Sequence, residues 1–384
     1  MADIPEIDLS DPAVLADPFA AYGAAREHGP LARLVTPGFG TMWAITRYAD
    51  AKAMLADPRF ELRPSGYLRP DVPEHCARYM HTMQEKNGPE HARLRRLVTP
   101  PFTARRALDL RPRIERIVEA LLDELPEHGQ VDLLDFARPL PIGVISELVG
   151  VPAEDRAAWR EYGAAIAAGH GAAFAEAIPA IMRDAGTVVA HRTGTPGVDL
   201  LSELIAADVD EVELITFVWH LVLAGQVPTL LVTNAMHALL EHPDQLAALR
   251  ADESLMPRAV EELTRWCGPQ LLSLPRFLNE DTEFAGVVIG KDEPVSAALA
   301  CANRDPRVYA DPDRLDLRRP TGEPTHLAYA HGAHYCVGAA LARVQTDVAL
   351  TALLRRFPDL ALVSAVRRPD PGAWRLMELV VDLG

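Results

Sequence analysis

Apolar residues recur at helical spacing along most of the chain. The pattern predicts helices at 18–28, 48–56, 90–98, 111–124, 142–148, 153–168, 212–241, 243–251, 255–266 and 338–356. A shorter helix opens at Asp199. Strand signals are few and short. One lies at 41–45. Two more, 283–289 and 293–299, flank Gly290-Lys291-Asp292, which reads as a hairpin turn. A last pair falls at 360–363 and 379–381. The expected fold is therefore mainly α with a small β region assembled from non-adjacent segments. Gly194-Thr195-Pro196-Gly197 and 64–73 read as turn-rich connections. No internal repeat is visible, and a single domain over 1–384 is expected. The longest apolar stretch, 214–231, is broken by His220, Gln226 and Pro228, so it reads as a buried core helix and not a membrane span.

Composition narrows the functional classes. The hydrophobic fraction is 49% over 384 residues, enough to bury a sizeable core. The net charge of -16 disfavours nucleic acid as a partner. The first residues are acidic and carry no apolar leader, so a cytoplasmic protein without a membrane anchor is expected. None of the four cysteines, Cys76, Cys267, Cys301 and Cys336, has CxxC spacing, which weakens zinc and redox-disulfide readings.

The densest chemistry lies at Tyr329-Ala330-His331-Gly332-Ala333-His334-Tyr335-Cys336-Val337-Gly338, directly before a helix that includes Arg343. A thiolate at a helix start feels the positive end of the dipole and the free amide groups of the first turn. Both favour the anionic sulfur that a metal needs. Gly332 and Gly338 would let the backbone approach a flat ligand. This arrangement fits a single thiolate ligand for heme iron. The alternative is a small buried cysteine where a loop meets a helix.

The segment closely resembles the heme-binding signature of the cytochrome P450 family, with Tyr329 in place of the usual Phe and Ala330 in place of the usual Gly. Both changes read as mild changes of size. The resemblance extends from about residue 8 to the C-terminus. Glu262 and Arg265 match its Glu-x-x-Arg motif, and they could pair on one helix face. Pro312-Asp313-Arg314 resembles the segment whose arginine completes that buried network; a solvated surface pair is the alternative. His91 and Arg95 share a helix face and match, with Arg276 and His334, the family's propionate-binding positions. A basic solvated face is the alternative for the first two. Gly88-Pro89-Glu90-His91 and Ala302-Asn303-Arg304-Asp305-Pro306 also resemble the family.

One departure stands out. The family usually reads Ala/Gly-Gly-x-Asp/Glu-Thr-Thr/Ser in its long helix, where the acid and first Thr help deliver protons to dioxygen. Here the run is Ala224-Gly225-Gln226-Val227-Pro228-Thr229. Neither Val227 nor Pro228 can relay a proton. Thr229 keeps a hydroxyl but lies about 100° further round a helix. Proline inside a helix costs about 3 kcal/mol, less if the helix is already distorted. Some fatty-acid peroxygenases of the family carry this Pro after an Arg, and Val227 is not that Arg. His220, Leu223, Ala224 and Pro228 should share one face. His220 could hold a polar substrate group or be an ordinary core histidine.

The resemblance implies a soluble, monomeric bacterial oxidase. Cys336 would ligate the iron of heme b (iron protoporphyrin IX), and His91, Arg95, Arg276 and His334 would hold the propionates. Ala224, Val227, Pro228 and Thr229 would stand on the oxygen side. Leu272 and Leu274 resemble a substrate-lining strand. Residues 60–86, with Tyr67, Tyr79, Met80 and Met83, resemble the variable lid. A ferredoxin and its reductase would supply electrons, and Arg93 and Arg96 could help receive the ferredoxin; solvated arginines are the alternative. The substrate is expected to be an apolar or amphipathic small molecule in natural-product biosynthesis. Peroxide use, coupling or desaturation, and a non-catalytic scaffold for a partner enzyme stay as alternatives.

Overall fold

The computed structural model describes residues 4–36, 40–66, 71–168, 172–322 and 325–384. The chain forms two compact units. One comprises Met1–Tyr67, Asn234–Cys336 and Ala365–Met377; the other comprises Leu68–Thr233, Val337–Ser364 and Glu378–Gly384.

The first unit holds a six-stranded mixed sheet. Its strands run in the order Glu6–Asp8, Leu31–Thr36, Gly40–Ile45, Pro294–Ala297, Arg276–Phe277 and Glu61–Leu62. The strand Pro294–Ala297 pairs with Gly40–Ile45 in parallel and with Arg276–Phe277 antiparallel. The Gly290 turn therefore does not join hairpin partners, contrary to expectation. The hairpin lies inside the expected strand 283–289: Thr282–Phe284 pairs with Val287–Ile289 around Ala285 and Gly286, whose φ values are 50° and 81°. Two consecutive positive φ angles suit the right-handed twist of a tight hairpin. Helices in this unit obey local signals. Asp17 caps Pro18–His28 by accepting the Ala20 amide at 3.1 Å, with Pro18 opening the first turn. Buried Trp43, Ile45, Tyr48, Met54, Phe60, Ile289 and Leu327 pack one core around the sheet.

A buried ion pair ties this unit together. Glu262 and Arg265 form a bidentate pair at 2.7 and 2.8 Å, and each side chain is at most 3% exposed. Arg265 also donates to the carbonyls of Asn303 and Pro312 at 2.9 and 2.8 Å. The arginine that completes the network is Arg319, whose Nε lies 3.1 Å from both Glu262 oxygens. Arg314, the residue expected there, contributes only its carbonyl. The bend after residue 314 brings the later arginine back to the carboxylate, and Asp316 N also donates to Glu262 at 3.0 Å.

The second unit is helical. Ala104–Asp123, capped by Thr103, packs on Ala339–Arg356 through Arg111 and Asp347 at 2.7 Å. Pro139–Val149 crosses Arg156–Ala168 where Gly163 leaves room for Ile142; a Cβ at Gly163 would lie 2.9 Å from Ile142. The helix Ala172–Gly194 was not foreseen, because Pro179 and a run of small residues obscure its apolar stripe. Gln130–Asp132 adds an antiparallel strand beside Leu376–Asp382. Glu211–Glu241 has the length and apolarity of a membrane span, but Leu214, Val218, Trp219, Val222, Leu231 and Ala235 are buried inside protein.

Candidate active site

Cys336 ends a tight loop. Its amide donates to the Tyr329 carbonyl at 3.0 Å, and Tyr335 N donates to the Gly332 carbonyl at 3.0 Å. Gly332 has φ 76°, and a Cβ there would lie 2.8 Å from the Leu55 carbonyl oxygen. That glycine is required by the close approach of the helix Tyr48–Ala56, a reason the ligand-centred reading missed. Ala330 has φ 59°, so its replacement of the family's glycine is a backbone matter and not merely one of size. The left-handed region disfavours Ala by about 1–2 kcal/mol, offset in part by the chain entropy of Gly. Ala330→Gly should therefore stabilise the protein by about 0.5–1 kcal/mol. A denaturation midpoint that falls would contradict this.

The chemistry of the four thiols is unequal. Cys76, Cys267 and Cys301 are buried, and burial pushes all three toward the protonated form, Cys267 and Cys301 up to about 12. Cys336 is exposed. One accessible thiol on a hydrogen-bonded loop is the donor set that heme-thiolate ligation needs. Arg276 belongs to the same neighbourhood. It is buried in its strand and donates to the Leu55 carbonyl at 2.8 Å, the atom that Gly332 approaches. His334 stands in the 3-10 turn Gly332–His334 of the loop itself. The end of the helix Tyr48–Ala56 thus gathers Arg276, His334 and the Cys336 loop.

In the second unit, Gly88–Val98 presents His91 and Arg95 one turn apart. His91 is buried, and burial together with the Arg95 charge holds its pKa below the ordinary value. An anion bound between them would relieve that repulsion, as a propionate would. Arg93, on another face, is ion-paired with Glu213, while Arg96 is exposed.

The long helix is broken. It ends at Ala224, turns through Gly225 and Gln226, and restarts at Val227. Pro228 therefore sits in a first turn, where its missing N–H is tolerated. Gly225 allows the turn: a Cβ there would lie 2.4 Å from both the Leu221 carbonyl and Ile145 Cδ1. Gln226, which sequence reading passed over, spans the break with Nε2 donating to the Val222 carbonyl at 3.3 Å. The Thr229 hydroxyl donates to the Ala137 carbonyl at 3.3 Å.

Near this helix a cavity of about 200 Å³ is lined by Met83, Leu94, Thr216, Phe217 and His220, among others. It brings together Met83 and His220 from the expected substrate residues, without Leu223. Elsewhere, Leu272 packs against the small core of Ile7, Tyr22 and Leu34, and Leu274 is 39% exposed. Tyr79 is buried, and Tyr67 lies outside the described residues.

A loop-borne thiol beside a buried cationic strand residue is the chemistry that heme-thiolate ligation needs. A profile of the cytochrome P450 family matches residues 195–374. The cytochrome P450 monooxygenase PikC of Streptomyces venezuelae is 42% identical over 90% of this chain and 85% of its own length. 6-Deoxyerythronolide B hydroxylase of Saccharopolyspora erythraea is 37% identical, covering 92% of each chain. The solved structure of the ligand-free P450 monooxygenase TamI superposes with a TM-score of 0.90 at 35% identity, over 100% of this chain and 95% of that one. The chain belongs to the cytochrome P450 family and is a monooxygenase with that fold and a heme cofactor. As in the family at large, it takes a small-molecule substrate and redox partners.

Proposed function

We propose that the chain is a single-domain, b-type heme monooxygenase of the cytoplasm that tailors a natural product, with an unusual route for protons. The exposed Cys336 thiol on the Gly332 loop carries the first part of this reading. Thiolate-bound heme supplies O–O bond cleavage when present. Cys336 would ligate it, and His91, Arg95, Arg276 and His334 would hold its propionates. The natural-product assignment is supported by the relatives, which include a 6-deoxyerythronolide B hydroxylase and a mycinamicin IV hydroxylase/epoxidase. A ferredoxin would serve as the electron donor of a monomeric enzyme, with Arg96 exposed on Gly88–Val98 as a contact.

The oxygen side lacks the usual relay. Val227 is apolar, Pro228 has no donor, and the Thr229 hydroxyl is held by Ala137. Protons would then arrive through ordered water or a polar group of the substrate itself. In Val227→Asp/Pro228→Thr the acid and hydroxyl return to their usual places. Hydrogen peroxide released per reductant consumed, measured with and without 6-deoxyerythronolide B as a probe, should change severalfold. An unchanged ratio would mean that this pair has no part in proton delivery.

A further inference from the structure

We propose that His220 sets substrate specificity: its Nε2 hydrogen-bonds one uncharged polar group, a hydroxyl or ketone, on a molecule that otherwise fills an apolar cavity. This rests on the monooxygenase reading, which makes the cavity on the Ala224 helix the substrate chamber. His220 is 8% exposed, and its buried Nε2 has no hydrogen-bond partner among the described residues. A buried ring nitrogen without a partner is unfavourable, and a ligand that supplies one recovers the loss. His220 lines the cavity beside Phe217 and Thr216, with Met83 and Leu94 among the residues that complete it.

The cavity's charged lining residues are already occupied or exposed. Lys86 pairs with Glu90 at 2.9 Å, Glu213 with Arg93, and Arg78 is exposed with its guanidinium over the Tyr79 ring. His220 has no such ionic companion. Burial pushes its pKa down to about 4, so the imidazole is neutral at pH 7 and offers one donor or one acceptor. A neutral group matches it, whereas a carboxylate against that neutral ring would gain no charge partner from His220.

The test uses heme-loaded protein and three probes of one ring size: cyclooctane, cyclooctanone and cyclooctanecarboxylate. Dissociation constants come from calorimetry and from the heme absorbance shift. His220→Phe should weaken the ketone relative to the hydrocarbon by roughly five- to tenfold, the range of one net hydrogen bond. His220→Gln, which keeps an amide donor and acceptor, should restore most of that preference. A ratio unmoved in His220→Phe overturns the inference and leaves the monooxygenase intact. So does a carboxylate that binds tightest and loses most on the substitution. Failure of the wild-type chain to take up heme overturns both.

Discussion

Glu262→Ala should destabilise the protein by about 3–5 kcal/mol, because it strands buried positive charge. Arg265 would lose both carboxylate bonds and Arg319 its anchor, while the Asp316 amide would lose its acceptor. Arg265 is 4% exposed and cannot turn out to water without leaving the Asn303 and Pro312 carbonyls. Domains are typically stable by only about 5–15 kcal/mol, so this loss removes a large share. The network also fixes the path of the chain from residue 303 to 319. Heme uptake and the denaturation midpoint should therefore fall together. A midpoint shift equivalent to less than about 1 kcal/mol, the usual worth of a surface pair, would contradict the buried role.

Cys336→Ser should abolish monooxygenase activity while leaving the fold intact. The side chain is exposed, and the loop is held by backbone bonds and by the Gly332 contact, none of which needs sulfur. A serine hydroxyl stays protonated at neutral pH and is a poor ligand for iron compared with a thiolate. The circular dichroism spectrum should match the wild type. Any retained heme should lack the red-shifted Soret band of a thiolate complex when reduced under carbon monoxide. A serine variant that kept this band and its turnover would move the iron ligand to another residue.

The sequence made the cofactor legible because one loop concentrates its chemistry. Cys336, the glycines and the following helix lie within a short run, and local rules suffice. Helix bounds at Pro18–His28, Tyr48–Ala56 and Pro243–Ala251 matched the apolar pattern for similar reasons. What escaped was set at a distance. The choice between Arg314 and Arg319 depends on how the chain bends back to Glu262. The hairpin at Ala285-Gly286 was hidden because alanine seldom signals a positive φ. Gly332 answers to Leu55, far away in sequence. The lining of the cavity also depends on direction: helical side chains lean toward the N-terminus, and His220 meets space beside Thr216 and Phe217. Pro228 was visible as an anomaly, yet the break at Gly225 and Gln226 that accommodates it is a property of packing against Ile145.

Cys336 is proposed as the thiolate ligand of the heme. The absorption spectrum of purified wild-type protein, reduced and saturated with carbon monoxide, tests it most directly. The thiolate-type Soret band is the predicted result. A colourless protein, or a heme whose carbon monoxide complex has the unshifted band of a histidine ligand, would contradict it.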